Sequence, residues 1–182
     1  MSRLLLAVAI GLSFGSCQSA EVSVEVEVQV NAVALDPSSH SPVVILKELE
    51  GRRRLPIWIG MSEARSIAAE LENEDPVRPN THDLAKRLID RLDGTVDHVV
   101  ITELSEGIYY AMLVVRSGGR TVSVDARPSD AIAIGLRTGA PLFVREALFE
   151  SSLDAVTSGK GQEVRWQPSR RSDDRQFHLP SL

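Results

Sequence analysis

The stretch VDHVVITELSEGIYYAMLVVRSGGRTVSVDARPSDAIAIGLRTGAPLFV, Val96–Val144, decides the architecture. Its first part is rich in Val, Ile and Tyr and is divided by the turn pairs Glu106-Gly107 and Gly118-Gly119, which predicts three strands. Turns this short force neighbouring strands to run antiparallel. The period then changes. Pro128 suits a first helical position, Asp130 a first turn, and Gly139 before Ala140-Pro141 a stop. Between them, Ala131, Ile132, Ala133, Ile134 and Leu136 surround the helix with apolar surface, and Gly135 permits close approach by another element. Such a helix is expected to be buried on more than one side, in the core or at a subunit interface. A short strand, LFV, follows, and then a last helix from about Arg145 to Leu153.

Upstream, EVSVEVEVQVNAVAL (Glu21–Leu35) alternates Val with polar residues at period two, as a half-buried strand does. It is long for one strand, so a bend is expected. DPSSHSP is a turn, VVILKEL a second strand, EGRRR a hairpin loop and LPIWIG a third strand, together a β-meander. Ser62–Asn73 places Ala64, Ile67, Ala68 and Leu71 on one helical face. A second helix starts with Asn80 or Thr81 as N-cap, carries Leu84, Leu88 and Leu92 on its apolar stripe and stops at Asp93-Gly94. Strands thus come in two runs, each followed by helix. That order predicts an α+β domain, with a mixed, largely antiparallel sheet packed with three to four helices in a single compact unit.

The bulk properties agree. A chain of 182 residues, 43% hydrophobic and 25% charged, suits one globular domain with short appendages. A net charge of -5 argues against gripping nucleic acid through a global basic field, though not against a local basic patch. The sole cysteine excludes an intramolecular disulfide, and the four scattered histidines match no zinc-site spacing. Nor is there a nucleotide or haem signature.

Three segments divide the chain. Residues 1–20 read as a signal peptide, because Arg3 precedes the apolar run LLLAVAIGLSF, which is too short to span a bilayer. FGSCQSA resembles the lipobox of bacterial lipoproteins, in which the chain is cut before the cysteine and that cysteine is lipidated. The expectation is an exported, periplasmic or cell-envelope lipoprotein attached through Cys17, with no transmembrane helix in the mature chain. Gln18 after the cysteine favours the outer membrane. Residues 21–155 form the domain, and 156–182 a polar C-terminal tail.

Two constellations can carry chemistry. Asp130 caps a helix or does chemistry, and Asp125 and Arg127 keep it company at a strand end. RPNTHD (Arg78–Asp83) sets an Arg, a hydroxyl, an imidazole and a carboxylate at a helix start, where backbone N–H groups favour anions. There His82 can act as general acid or base, and Asp83 can orient it or bind metal. Glu63 and Glu70, on neighbouring turns, can add carboxylates or simply form a wet helix face. Acids without soft ligands choose Mg2+, Mn2+ or Ca2+ over zinc.

LPIWIGMSEARSIAAELENEDPVRPNTHDLAKRLIDRL, followed by VSVDARPSDAIAIGLRTGAPLFV, resembles the bifunctional nuclease (BFN) domain family, over roughly Val22 to Glu150. The resemblance implies a compact α+β domain that self-associates, and activity on both RNA and DNA, as claimed for plant members. It also implies that Glu63, Arg78, Thr81, His82, Asp83, Asp125, Arg127, Ser129 and Asp130 cluster around one site. The leading expectation is a nuclease acting on RNA or single-stranded DNA, with catalysis by Asp83, His82, Asp125, Asp130 and Glu63. In it Asp83, Asp125 and Asp130 hold Mg2+ or Mn2+, while Arg78, Thr81, Arg127 and Ser129 bind substrate. The competing expectation is a non-catalytic, exported oligomeric module that binds a partner or small anionic ligand. A serine hydrolase is disfavoured, since no G-x-S-x-G occurs and Ser129 has no evident base.

Overall fold

The computed structural model describes residues 23–74 and 76–150. The signal segment with Cys17, the tail and the end of the last expected helix lie outside them. Ten elements follow in order: β1 (Glu25–Leu35), β2 (Pro42–Glu48), β3 (Arg54–Trp58), α1 (Met61–Leu71), α2 (Thr81–Arg91), β4 (Gly94–Ser105), β5 (Ile108–Ser117), β6 (Arg120–Ala126), α3 (Pro128–Thr138) and β7 (Leu142–Arg145). Residues 147–150 are again helical.

All seven strands join one sheet in the order β3-β2-β1-β7-β4-β5-β6. Each run of three strands is an antiparallel meander. The turns deliver this geometry locally: Glu106 (φ 52) with Gly107 (φ 82), and Gly118 (φ 57) with Gly119 (φ 74), supply the paired left-handed conformations that two-residue hairpins need. β7 joins the meanders, antiparallel to β1 and parallel to β4. That one parallel pairing requires a crossover, which α3 provides between the β6 edge and the sheet centre. The bend expected in the first strand appears as a register shift between Val30 and Ala32.

The helices cover one face, with α3 against β4 and β5 and flanked by α1 and α2. A Cβ at Gly135 would lie 2.8 Å from Leu142 Cδ2 and 3.0 Å from Val99 Cγ2, so α3 approaches the sheet as only glycine allows. Ala131, Ile132 and Ala133 are fully buried, placing α3 in the core.

The stripe expected to bury α2 instead faces outward: Leu84, Leu88 and Leu92 are 53%, 54% and 73% exposed. The helix leans inward on His82, which is buried, and Ile89, which packs against the core. Its capped, hydrogen-bonded start sets this rotation. At the sheet edge β6 is exposed from Arg120 to Asp125. Among the described residues no helix is long and apolar enough to cross a membrane.

Candidate functional site

The site is built where the starts of α2 and α3 converge on the middle of α1. Asn80 caps α2, its side chain accepting from the N–H groups of His82 (2.8 Å) and Asp83 (3.0 Å), while Asp83 Oδ2 accepts from the Asn80 N–H (2.8 Å). This capping box consumes the Asn80, His82 and Asp83 N–H groups that the sequence offered to an anion. It also aims His82 at α3, so that His82 Nε2 lies 3.1 Å from Asp130 Oδ1. The two motif halves meet through this pair.

Hydrogen-bond accounting assigns the imidazole tautomer. Ser66 Oγ accepts from Asn80 Nδ2 (3.1 Å) and Arg137 Nη2 (2.9 Å), which fills its lone pairs. Its own proton therefore goes to His82 Nδ1, 2.8 Å away. Neutral His82 then carries its proton on Nε2 and donates it to Asp130. Neither ring nitrogen is left for substrate, and Ser66 Oγ has no lone pair for nucleophilic attack.

Arg127 bridges Asp130 to α1. Its Nε donates to Asp130 Oδ2 (2.8 Å), and its Nη2 to both Asp130 Oδ1 (3.0 Å) and Glu63 Oε1 (2.7 Å). The side chain is 67% exposed, and Nη1 has no partner among the described residues. The hydrogen bonds that Arg127 donates to Asp130 and then to Glu63 raise its pKa well beyond its ordinary value. Burial pushes the Asp130 pKa up, but Arg127 and then His82 outweigh it and hold the carboxyl below the usual range.

Arg137, at the far end of α3, ties all three helices together from a side chain only 5% exposed. It donates to Asp83 Oδ1 (2.6 Å), to Ser66 Oγ and carbonyl (2.9 and 3.1 Å) and to the Ala133 carbonyl (2.9 Å). At Asp83 burial again opposes ionisation, but Arg137 and the Asn80 N–H prevail, and its pKa is lowered.

Glu63, Thr81, His82, Arg127 and Asp130 therefore line one cleft of about 330 Å³, together with Ser66 and Arg65. Arg78, Asp83 and Glu70 border a neighbouring cleft with Lys86 and Arg87. Ser129 borders a third with Trp58, on the other side of Arg127. Asp125 lies elsewhere. Val124 pairs with Leu113 on the helix-covered face, so Asp125, paired with Met112, points to the opposite face by the two-residue period of a strand.

The three acids expected to hold a cation are thus separated, and no three His, Cys, Asp or Glu side chains among the described residues gather as a metal cage. Asp83 is committed to Arg137 and Asn80, and Asp130 to Arg127 and His82.

Three positions in and around this cluster escaped local pattern. Ser66 looks like a polar residue at the border of an apolar face, Arg65 like surface charge, and Arg137 like a helix-end cation. Only a buried Ser and a long-range Asp partner, 54 residues away, reveal what Ser66 and Arg137 do.

A family model described as "Bifunctional nuclease domain" matches residues 44–156. The match begins inside β2, so β1 precedes it although it pairs within the same sheet. The chain is 42% identical over 147 residues to an uncharacterized protein of Mycobacterium tuberculosis strain H37Rv, covering 76% of this chain and 88% of that one. It is 30% identical over 125 residues to Bifunctional nuclease 1 of Oryza sativa subsp. japonica, and over 124 residues to Bifunctional nuclease 1 of Arabidopsis thaliana. Those alignments cover 66% and 65% of this chain but only 38% of each plant protein.

Proposed function

Because the chain belongs to the bifunctional nuclease domain family, we propose that it hydrolyses phosphodiester bonds of RNA or single-stranded DNA at the Glu63–Arg127 cleft. The observation that carries this is a pair of unused groups side by side. Glu63 binds Arg127 through Oε1, leaving Oε2 without a hydrogen-bond partner among the described residues, while Arg127 Nη1 keeps both its protons. Glu63 Oε2 takes a proton from water; the water oxygen bonds to phosphorus, and the bond to the departing sugar oxygen breaks, with solvent protonating that oxygen. Arg127 Nη1 and the exposed Arg65 stabilise the charge that develops on the phosphoryl oxygens. His82 and Asp130 hold Arg127 in place.

The described carboxylates do not fit a cation cage, and no step is routed through one. The test is cleavage of fluorophore-labelled single-stranded RNA and DNA by the full chain, in Mg2+, in Mn2+ and in EDTA. Glu63→Gln keeps an acceptor for Arg127 and removes the base, so the rate should fall by about 10²- to 10⁴-fold with the fold intact. Wild-type cleavage by that variant, or a strict cation requirement, would overturn this assignment.

One observation favours the non-catalytic module instead: His82, Ser66 and Asp130 satisfy one another, as a purely structural joint would. Absence of cleavage by the unaltered chain under all three conditions selects it. Under either reading the proposal includes export, attachment through a lipidated Cys17 and self-association. Mass spectrometry of the mature N-terminus tests the lipid.

A further inference from the structure

On the far side of Arg127 from that cleft lies a second hollow, also about 330 Å³, bounded by elements from the two halves of the sheet. The end of β3 contributes Ile57, Trp58 and Ile59, and the tip of the β4–β5 hairpin contributes Ile108 and Tyr109. The hairpin is long, and its ladder shifts register at Val96/His98 and again at Ile101/Glu103, irregularities that bend a strand pair. Trp58 is 42% exposed, and it is anchored by its edge: Nε1 donates to Asp36 Oδ2 at 3.2 Å. Asp36 is itself buried and held by the Ser38 N–H and the Ser39 hydroxyl. The indole is thus a fixed platform.

One polar group is left over. Ser129 is only 6% exposed, yet its hydroxyl has no hydrogen-bond partner among the described residues, and the residue lines this hollow. An apolar and aromatic wall, one unpaired hydroxyl and a guanidinium at the rim match a nucleotide unit, with a planar base inside and its phosphate at the mouth. Arg127 borders both clefts, so the phosphate it holds for hydrolysis and the base inside the hollow can belong to adjoining parts of one strand.

We propose that this hollow is a nucleobase subsite, in which an unstacked base of a single strand packs on Trp58 and hydrogen-bonds Ser129 while Arg127 receives the adjoining phosphate. It rests on the phosphodiesterase reading of the neighbouring cleft and names the substrate class as single-stranded, because a base paired within a duplex cannot enter.

The test uses the full chain carrying Trp166→Phe, so that Trp58 is the sole tryptophan, and Glu63→Gln, to prevent turnover. The probes are octathymidylate and the same octamer with abasic sugars. Octathymidylate should quench the Trp58 emission and the abasic strand should not. By anisotropy of a labelled octamer, Trp58→Ala should bind about tenfold more weakly, and Trp58→Phe should recover most of the loss. Circular dichroism checks folding, and the Phe variant keeps the test valid if the Ala variant unfolds. Equal affinity for both octamers, or unchanged binding by Trp58→Ala, overturns the subsite even when wild-type cleavage is intact. Quenching and base-dependent affinity without wild-type cleavage support the subsite and remove the hydrolase. No binding by the otherwise unaltered chain overturns both.

Discussion

Ser66 sits at a three-way junction of hydrogen bonds that joins an imidazole, an amide and the buried Arg137 guanidinium. Removing its hydroxyl leaves Arg137 Nη2 and Asn80 Nδ2 short of an acceptor, and His82 Nδ1 without a donor. Ser66→Ala should therefore destabilise the fold by about 1–3 kcal/mol in a urea titration, far more than an ordinary surface serine would. Asp83 and Asp130 contribute to the acid sensitivity of the fold, as do Asp36, Glu48 and Asp97. The folded pKa values of Asp83 and Asp130 lie below the unfolded reference of 3.8, so their stabilisation is fully present above that value. It is lost as the pH falls through and below 3.8, where the unfolded chain binds more protons. Asp83→Asn should flatten this acid limb and cost about 2 kcal/mol at neutral pH. That is less than for losing one partner of a fully buried pair, because Asn keeps an acceptor for Arg137. Stability measured by denaturant at pH 3, 4, 5 and 7 checks both effects.

At the scale of elements, the contact of α3 with the sheet is the tightest. Gly135→Ala would raise helix propensity by up to about 1 kcal/mol, but its Cβ must displace Leu142 and Val99 in a closed core, at about 1–3 kcal/mol. The net expectation is a loss of about 1 kcal/mol, read as a lower urea midpoint at unchanged m-value. This element was legible beforehand, because Pro128, Gly135 and Gly139 announce its start, its close face and its end. So were both meanders, because their turn pairs carry the left-handed conformations themselves. The orientation of α2 was not. Leucines four apart mark an apolar stripe, but which side of a helix faces inward depends on its partners, and here His82 and Asp83 bind inward and turn the leucines out.

Over the whole molecule, those leucines remain to be explained. Val115 lies beside both Gly94 and its direct β6 partner Val122, and Ile89 of α2 closes over Gly94. Val122 and Val124, on the helix side of the sheet edge, are also half-exposed. Apolar side chains left in solvent mark an association face where they are contiguous. If two copies of the chain meet there, Leu88→Glu should convert the assembly to monomer in sedimentation. Its effect on monomer stability should stay within about 0.5 kcal/mol, because the side chain is already solvent-facing. An unchanged oligomeric mass would place the contact elsewhere.

By itself the sequence determined the strands, their hairpin turns and the three helices, since these follow from periodicity, capping and turn chemistry within a few residues; the family followed from the resemblance of its two polar motifs. Only the tertiary structure decided which motif residues meet. His82 and Asp130 lie 48 residues apart and touch; Asp125 stands two residues from Arg127 and is turned to the other face. Strand alternation turns Asp125 away from the helix-covered face that Val124 shares, while helix packing joins residues far apart in sequence. The Ser66–Arg137 hub and the Trp58 hollow depend on elements distant in the chain, which no local pattern encodes.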